Sequence, residues 1–217
     1  MGAWYGTRGL RVGFGTPGRR FWSTRRILGG IFSMPMSTLV IFNPISGAGR
    51  AVRMAEALSR VAVEQGVEME LMETSPGPPE TWLREPIRDR RALVVIGGDG
   101  AVRSAAAEAA IAGIPLIHMP AGNENLFARE FGMTTDPDEV VRRLRFGHVR
   151  KLDLAHGRVE GAPEEVIVLM ASIGFDADVV HDLASNRSGP ANHLSYLLPT
   201  LRSLFRFRPS KVEAIVD

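Results

Sequence analysis

The sequence contains no cysteine, which excludes disulfide bonds and thiolate metal sites. Its five histidines are scattered, and no two of them have the i, i+4 spacing of a helical metal pair, so a structural zinc site is not expected. No apolar run reaches the ~18–20 residues that a membrane-spanning helix needs. The composition therefore predicts a soluble globular protein that could at most touch a membrane surface.

Lysine is also scarce, because Lys151 and Lys211 are the only two in the chain. Arginine supplies nearly all the positive charge, and the first acidic residue is Glu56, although the net charge is only +2. Guanidinium groups pair well with phosphate oxygens. An arginine-rich coding bias is nevertheless the simpler explanation of this composition.

Residues 1–35 are rich in glycine and arginine and show no strand or helix period, so we expect a poorly structured segment. It could be a targeting segment, a basic arm for anionic lipid, or sequence upstream of a true start at Met34 or Met36. The third explanation is slightly favoured, because regular patterning begins at Ser37.

Three common functional motifs are absent or misplaced. The chain has no Gly-Lys-Ser/Thr, which excludes a P-loop kinase, and no G-x-S-x-G elbow, which argues against a serine hydrolase. Residues Gly13 to Gly18 match G-x-G-x-x-G, but a dinucleotide site needs a preceding strand and a helix that begins within the motif. Pro17 and the surrounding arginines indicate neither.

Residues 36–150 alternate between strand-like and helix-like patterns, which predicts an α/β domain with a mostly parallel sheet flanked by helices. The predicted strands are Thr38–Asn43, Val67–Glu73, Ala92–Ile96 and Pro115–Met119. The predicted helices are Arg50–Gln65, Glu80–Arg90, Val102–Ala112, Asn123–Phe131 and Pro137–Arg145, the last with Asp136 as its N-cap.

Residues 151–217 have a different pattern, which predicts the start of an incomplete, β-rich second domain. The predicted elements are strands at Lys151–His156 and Val166–Ser172, helices at Asp176–Asn186 and Leu194–Phe205, and a strand that begins at Lys211. The apolar cluster Leu194–Phe207 could line an acyl-chain site, but ordinary core is the favoured interpretation.

A strand followed by Gly97-Gly98-Asp99-Gly100 and a helix is a phosphate-binding arrangement. Glycines let the backbone approach an anion closely, and a helix N-terminus offers unpaired N–H groups. A carboxylate at Asp99 is compatible with phosphate if a divalent cation lies between them. The alternative is a tight strand-to-helix turn in which Asp99 is a helix cap.

Two further loops, each after a predicted strand, accompany this one: Asn43-Pro44-Ile45-Ser46-Gly47 and Pro120-Ala121-Gly122-Asn123-Glu124-Asn125. In this order the three motifs resemble the diacylglycerol kinase catalytic-domain family, which includes sphingosine kinases and bacterial lipid kinases. Lys151-Leu152-Asp153-Leu154 and Ala171 to Ala177 look like segments that enter the family's second domain. The resemblance covers about residues 37–217.

The resemblance implies an ATP-dependent lipid kinase that uses Mg²⁺ and transfers the γ-phosphate to a lipid alcohol, diacylglycerol-like or sphingoid. It implies a cytoplasmic protein in transient contact with a membrane surface, and no nucleic-acid partner. Asp99 would be the catalytic residue and would act through Mg²⁺. The implied nucleotide-binding residues are Asn43, Ser46, Gly47, Thr74, Gly97, Gly98, Gly100, Gly122, Asn123 and Asn125.

The chain departs from the family pattern beside these motifs. The threonine that follows G-G-D-G is Ala101, and the usual Asn-Glu pair is Arg103-Ser104. The threonine of P-x-G-T is Asn123, and the common aspartate after P-x-G-T-x-N is Leu126. Arg103 could supply charge for a phosphate, although an exposed helical arginine is the simpler interpretation.

A D-G-E-like segment, which would hold the family's proposed general base, does not occur before Asp217. The main alternative is therefore a catalytically impaired nucleotide-binding remnant. NAD kinases also carry a G-G-D-G loop but lack N-P-x-S-G, which makes an NAD kinase-like enzyme a more distant alternative. A module that binds another anion is also distant, and it predicts equal stabilisation by phosphate and ATP.

Overall fold

The computed structural model describes residues 37–158 and 164–172, with residues 174, 175, 177 and 179. Residues 1–36, the predicted helix Leu194–Phe205, the strand from Lys211 and most of the predicted helix Asp176–Asn186 lie outside the described residues. The described chain divides into two units, one ending at Leu152 and one beginning at Asp153.

The first unit is built on a four-stranded parallel sheet with the order β2-β1-β3-β4. The strands are β1 (Thr38–Phe42), β2 (Met69–Glu73), β3 (Leu93–Gly97) and β4 (Leu116–Pro120). All four agree with the predicted strands to within two residues at either end. The α/β architecture with a parallel sheet flanked by helices is thereby confirmed.

The two central strands, β1 and β3, are buried along their whole length, whereas the edge strand β2 is only partly covered. A parallel sheet with helices on both faces buries both sides of its central strands, which therefore read as continuous apolar runs. Val94 of β3 lies opposite Val40 of β1 in the sheet register, and Ile96 lies opposite Phe42. These four side chains belong to the main hydrophobic core.

Helix α1 (Arg50–Glu64) covers this core with one face. Its buried residues recur at intervals of three and four, as the helical period requires, and they are Ala51, Ala55, Leu58 and Ala62. Helix α5 (Pro137–Phe146) packs beside α1 and contributes Val140, Val141 and Leu144. The Asp136 carboxylate accepts a hydrogen bond from the Asp138 N–H at 3.1 Å, which confirms Asp136 as the N-cap.

Three helical predictions need correction. The helix predicted at Glu80–Arg90 is only α2 (Pro79–Trp82), followed by turns, because Pro86 lacks an N–H and clashes with a helical backbone. Helix α3 (Asp99–Ala112) begins three residues earlier than predicted. Helix α4 (Leu126–Glu130) begins three residues later, because Asn125 has a left-handed backbone conformation with φ of 49°.

The second unit contains a two-stranded antiparallel ladder of β5 (Ala155–Gly157) and β6 (Glu165–Ile167). Both strands are shorter than the predicted ones. The His156 Nδ1 atom lies 2.8 Å from the Glu164 carboxylate in an exposed pair.

In neither unit does any described helix combine the length and the apolarity needed to cross a membrane.

Candidate functional site

The strand order changes direction between β1 and β3. The chain leaves β1 toward β2 through α1, and it leaves β3 toward β4 through α3, so the two connections diverge. Open parallel sheets bind ligands at such a point, beyond the carboxyl ends of the strands. The loops after β1, β3 and β4 all begin at this edge of the sheet.

The loop after β1 is a tight turn held by its own polar groups. The Asn43 side-chain oxygen accepts a hydrogen bond from the Ile45 N–H at 3.1 Å, and the Asn43 carbonyl accepts one from the Ser46 N–H at 2.9 Å. The next three residues, Gly47, Ala48 and Gly49, all have positive φ. Asn43 and Ser46 therefore shape the turn that leads into α1.

The loop after β4 touches the glycine loop after β3. A Cβ added at Gly122 would lie 2.7 Å from the Gly98 Cα, and one at Gly98 would lie 3.4 Å from the Gly122 Cα. The Asn125 side chain brackets Gly122, since its oxygen accepts from the Gly122 N–H at 3.0 Å and its amide donates to the Gly122 carbonyl at 2.8 Å. Glycine at 122 is therefore required for the two loops to meet, whereas a Cβ at 98 would make an ordinary van der Waals contact.

Asp99, predicted to act through a metal, makes a structural contact. Its two carboxylate oxygens accept hydrogen bonds from the N–H groups of Leu126 and Phe127, both at 2.9 Å. Asp99 therefore caps the start of α4, which lies on a different loop, although it is itself the first residue of α3. Each oxygen keeps a second lone pair, so the carboxylate can also face a cation.

Arg50 joins the first loop to the third, a role that the sequence analysis did not assign. Its Nη2 atom donates to the carbonyls of Ala121 at 2.9 Å and Gly122 at 3.1 Å. A Cβ at Gly47 would lie only 2.5 Å from the same Ala121 oxygen, so glycine at 47 lets the two loops approach. The position of Arg50 directly after a glycine turn was the only sequence signal.

His118 is a second residue that the sequence analysis did not assign. It is completely buried on β4, and its Nε2 atom lies 2.9 Å from the Gly97 carbonyl oxygen. Burial lowers the pKa of His118 below its usual value, an effect partly opposed by the Gly97 hydrogen bond and the charge of Asp99. A lone histidine within an otherwise apolar strand was the available signal.

Two predicted residues lie apart from this contact network. Thr74 follows β2, and its N–H donates to the Phe42 carbonyl at 2.9 Å, so it lies beside the end of β1 at the same edge of the sheet. Asn123 lies in the third loop and is exposed. The Gly122 N–H also lies 3.3 Å from the Gly97 carbonyl, so direct contacts connect four of the predicted residues: Gly97, Gly98, Gly122 and Asn125. Gly47 and Asp99 lie next to this group, Gly47 through Ala121 and Asp99 through Leu126 and Phe127.

The residues present are compatible with Mg²⁺ bound through a nucleotide. Within the described ranges, no three His, Asp or Glu side chains form a group that could hold a metal by themselves. Mg²⁺ usually binds through one or two carboxylates, several waters and the phosphates of its substrate. Asp99 supplies one such carboxylate at the edge where the glycine loops meet.

The described chain contains an α/β domain whose glycine-rich loops meet at the carboxyl edge of the sheet, and the comparisons identify its family. Residues 37–156 match the diacylglycerol kinase catalytic domain. The diacylglycerol kinase of Mycobacterium tuberculosis, in strains CDC 1551 and H37Rv, is 30% identical over 178 residues, which are 81% of this chain and 57% of that protein. The chain belongs to the diacylglycerol kinase catalytic-domain family.

The chain spans a little over half the length of these curated relatives. A solved structure of a diacylglycerol kinase from Bacillus anthracis strain Sterne is 21% identical, with a TM-score of 0.46, and the match covers 57% of this chain and 44% of that one.

Proposed function

We propose that this chain binds ATP with Mg²⁺ at the carboxyl edge of its sheet, as part of a kinase that transfers the γ-phosphate to a lipid hydroxyl. Family membership supports the kinase class, and the names of the relatives support diacylglycerol as the acceptor. The observation that carries ATP binding is the glycine at position 100.

Gly100 has no packing reason to be glycine. It is the second residue of α3 and is exposed, and a Cβ added there would meet no atom of the described residues within 4 Å. Its φ lies outside the left-handed region, so any residue could adopt the conformation. Glycine disfavours a helix by about 1 kcal/mol relative to alanine in a helix interior. A ligand that approaches the backbone closely explains this choice.

The start of α3 offers the chemistry that such a ligand needs. The first N–H groups of a helix have no carbonyl partner within the helix, and they carry partial positive charge. No side chain caps α3 among the described residues, because Gly98 occupies the N-cap position. These N–H groups would hold the phosphates, while the remaining lone pairs of Asp99 would face the cation.

Bound Mg²⁺ would neutralise charge that develops on the phosphates during transfer. The contribution of the chain is then mainly to position the reactants. The Asn125 bracket and the Asp99 cap hold the loop after β4 against the glycine loop. Thr74 and Asn43 follow the neighbouring strands β2 and β1, on the side where the rest of the nucleotide would lie. We further propose a cytoplasmic protein that touches the membrane surface where its lipid substrate resides.

Gly100→Ala tests this proposal, because fold stability and nucleotide binding should change in opposite directions. Without ligand, the free energy of unfolding in urea should rise by about 0.5 kcal/mol, since alanine favours the helix. The dissociation constant for Mg-ATP, measured by calorimetry, should rise about tenfold, which corresponds to ~1.4 kcal/mol. Ile111→Ala, at the exposed far end of the same helix, is the matched control and should leave binding unchanged.

Failure of the unsubstituted protein to bind Mg-ATP would overturn the proposal, and so would equal stabilisation by inorganic phosphate and Mg-ATP. Formation of phosphatidic acid from diacylglycerol vesicles and Mg-ATP tests the lipid acceptor. Binding of Mg-ATP without any lipid product would restrict the proposal to nucleotide binding.

A further inference from the structure

His118 is a buried polar side chain within an apolar strand, and the proposed phosphate chemistry does not use it. Its exposed fraction is 0%, and in the strand register it lies opposite Val95 of β3. The Phe127 ring packs against its edge at a centroid distance of 5.9 Å. Because an aliphatic residue would fill such a position without a polar cost, the presence of histidine needs a specific reason.

The contacts of the imidazole determine its tautomer. Nε2 lies 2.9 Å from the Gly97 carbonyl oxygen, which can only accept, so Nε2 carries the proton and donates it. Nδ1 is buried and has no hydrogen-bond partner among the described residues. A second proton on Nδ1 would place an unpaired N–H and a positive charge in the core, so the neutral ring with Nε2–H is the stable form.

The Gly97 carbonyl is the point where the glycine loop meets the loop after β4. It accepts hydrogen bonds from the N–H groups of Ala121 at 2.8 Å and Gly122 at 3.3 Å, in addition to the one from His118. A Cβ at Gly97 would lie 2.8 Å from the Ala101 Cβ, so the peptide has little room to move toward α3. Its orientation sets the direction in which the chain enters Gly98 and Asp99.

We propose that His118 is a positioning residue, which fixes the Gly97 carbonyl and so holds the glycine loop in the geometry that receives the nucleotide phosphates. This inference rests on the proposed nucleotide binding. His118 need not touch the nucleotide, because it acts through a carbonyl that already receives two backbone N–H groups.

Two substitutions separate positioning from packing. In His118→Gln, the side-chain amide nitrogen can reach about as far as Nε2 and can still donate to Gly97, whereas His118→Leu fills the space without a donor. Positioning predicts that His118→Leu weakens Mg-ATP binding about fivefold, the loss expected for one hydrogen bond, while His118→Gln retains most of the affinity. If His118 only fills space, His118→Leu should retain more Mg-ATP affinity than His118→Gln, because leucine buries no polar group.

Amide hydrogen exchange gives a readout that does not depend on nucleotide. In His118→Leu, the N–H group of Ala121 should exchange about fivefold faster than in the unsubstituted protein, because its acceptor, the Gly97 carbonyl, is less well held. The Gly122 N–H should change less, because it also donates to the Asn125 side chain. In His118→Gln the exchange of both groups should stay close to that of the unsubstituted protein. Met119→Leu is the matched control, since Met119 is the next buried residue of β4 and points to the opposite face of the sheet.

Equal exchange rates and equal Mg-ATP affinities in the two variants would overturn the inference. It would also be overturned if His118→Leu retained more of the Mg-ATP affinity than His118→Gln. If the unsubstituted protein does not bind Mg-ATP, the proposed function fails, and the exchange rates still decide whether His118 holds the loop. If neither variant folds, the ¹⁵N spectrum of the unsubstituted protein tests the inference, because it identifies the tautomer of the His118 imidazole. The neutral Nε2–H tautomer supports the inference, and the Nδ1–H tautomer overturns it.

Discussion

The guanidinium of Arg50 donates to the carbonyl of Ala121 at 2.9 Å, and this bond connects the start of α1 to the loop after β4. Because β3 lies between β1 and β4 in the sheet, the side chain reaches across the end of β3, where the glycine loop begins. Arg50 thereby joins the loops after β1 and β4 in one frame at the carboxyl edge, and the contact between Gly98 and Gly122 adds the glycine loop to it.

Replacement of Arg50 by methionine should loosen this frame. The two carbonyl contacts are on an exposed side chain, so we expect a loss of about 1 kcal/mol in the free energy of unfolding. The affinity of Arg50→Met for Mg-ATP should fall about fivefold. The affinity of Arg50→Lys should lie between those of the unsubstituted protein and Arg50→Met, because an ammonium cannot reproduce the planar guanidinium fork. Urea denaturation and calorimetry measure the two effects. Arg60→Met on the same helix is the control, and an equal loss there would show that Arg50 has no special role.

Asp99→Asn should destabilise the protein before any ligand is added. The amide keeps one acceptor oxygen but loses the charge and the second acceptor that cap Leu126 and Phe127. We expect the free energy of unfolding to fall by about 2 kcal/mol in the absence of Mg²⁺ and ATP. Glu68→Gln, which changes an exposed carboxylate, serves as the comparison. Unchanged stability of Asp99→Asn would leave Asp99 with a purely ligand-binding role.

Ala48→Gly should stabilise the fold. Ala48 has φ of 55°, a left-handed conformation that costs an L-residue about 1–2 kcal/mol. Glycine removes this strain, but its backbone is more flexible in the unfolded chain, which makes folding about 0.5–1 kcal/mol less favourable. We expect a net gain of about 0.5 kcal/mol by urea denaturation, whereas Ala107→Gly within α3 should lose about 1 kcal/mol. A loss at both positions would contradict the conformation described for residue 48.

Acid stability should depend on Glu139. Hydrogen bonds from Arg142 and then Arg143 lower the pKa of Glu139 from 4.5 to about 2. A carboxyl whose pKa is lower in the folded state binds fewer protons there than in the unfolded chain, so its stabilisation is complete above pH 4.5. That stabilisation is lost as the pH falls from 4.5 toward 2. Urea midpoints of Glu139→Gln should therefore decline less steeply over this interval, and identical slopes would exclude the effect.

The parallel sheet was predictable because its strands are short, apolar and separated by helical patterns, and these are local properties of the chain. The glycine loops were predictable for a similar reason, since each directly follows a strand. The helix predicted at Glu80–Arg90 was wrong beyond Trp82, because Pro86 has no N–H to donate to a helical carbonyl and its ring clashes with a helical backbone. The left-handed Asn125, which delays α4, depends on the bracket that its side chain forms around Gly122.

The sequence by itself determined the α/β class, the order of the three loops and their glycines, because strand periodicity and turn chemistry act over a few residues. Only the tertiary structure decided which side chains hold the loops together. Asp99 meets Leu126, His118 meets Gly97 and Arg50 meets Ala121 across separations of 27, 21 and 71 residues. Such pairs arise from the order of the strands in the sheet, since that order brings distant strand ends to one edge.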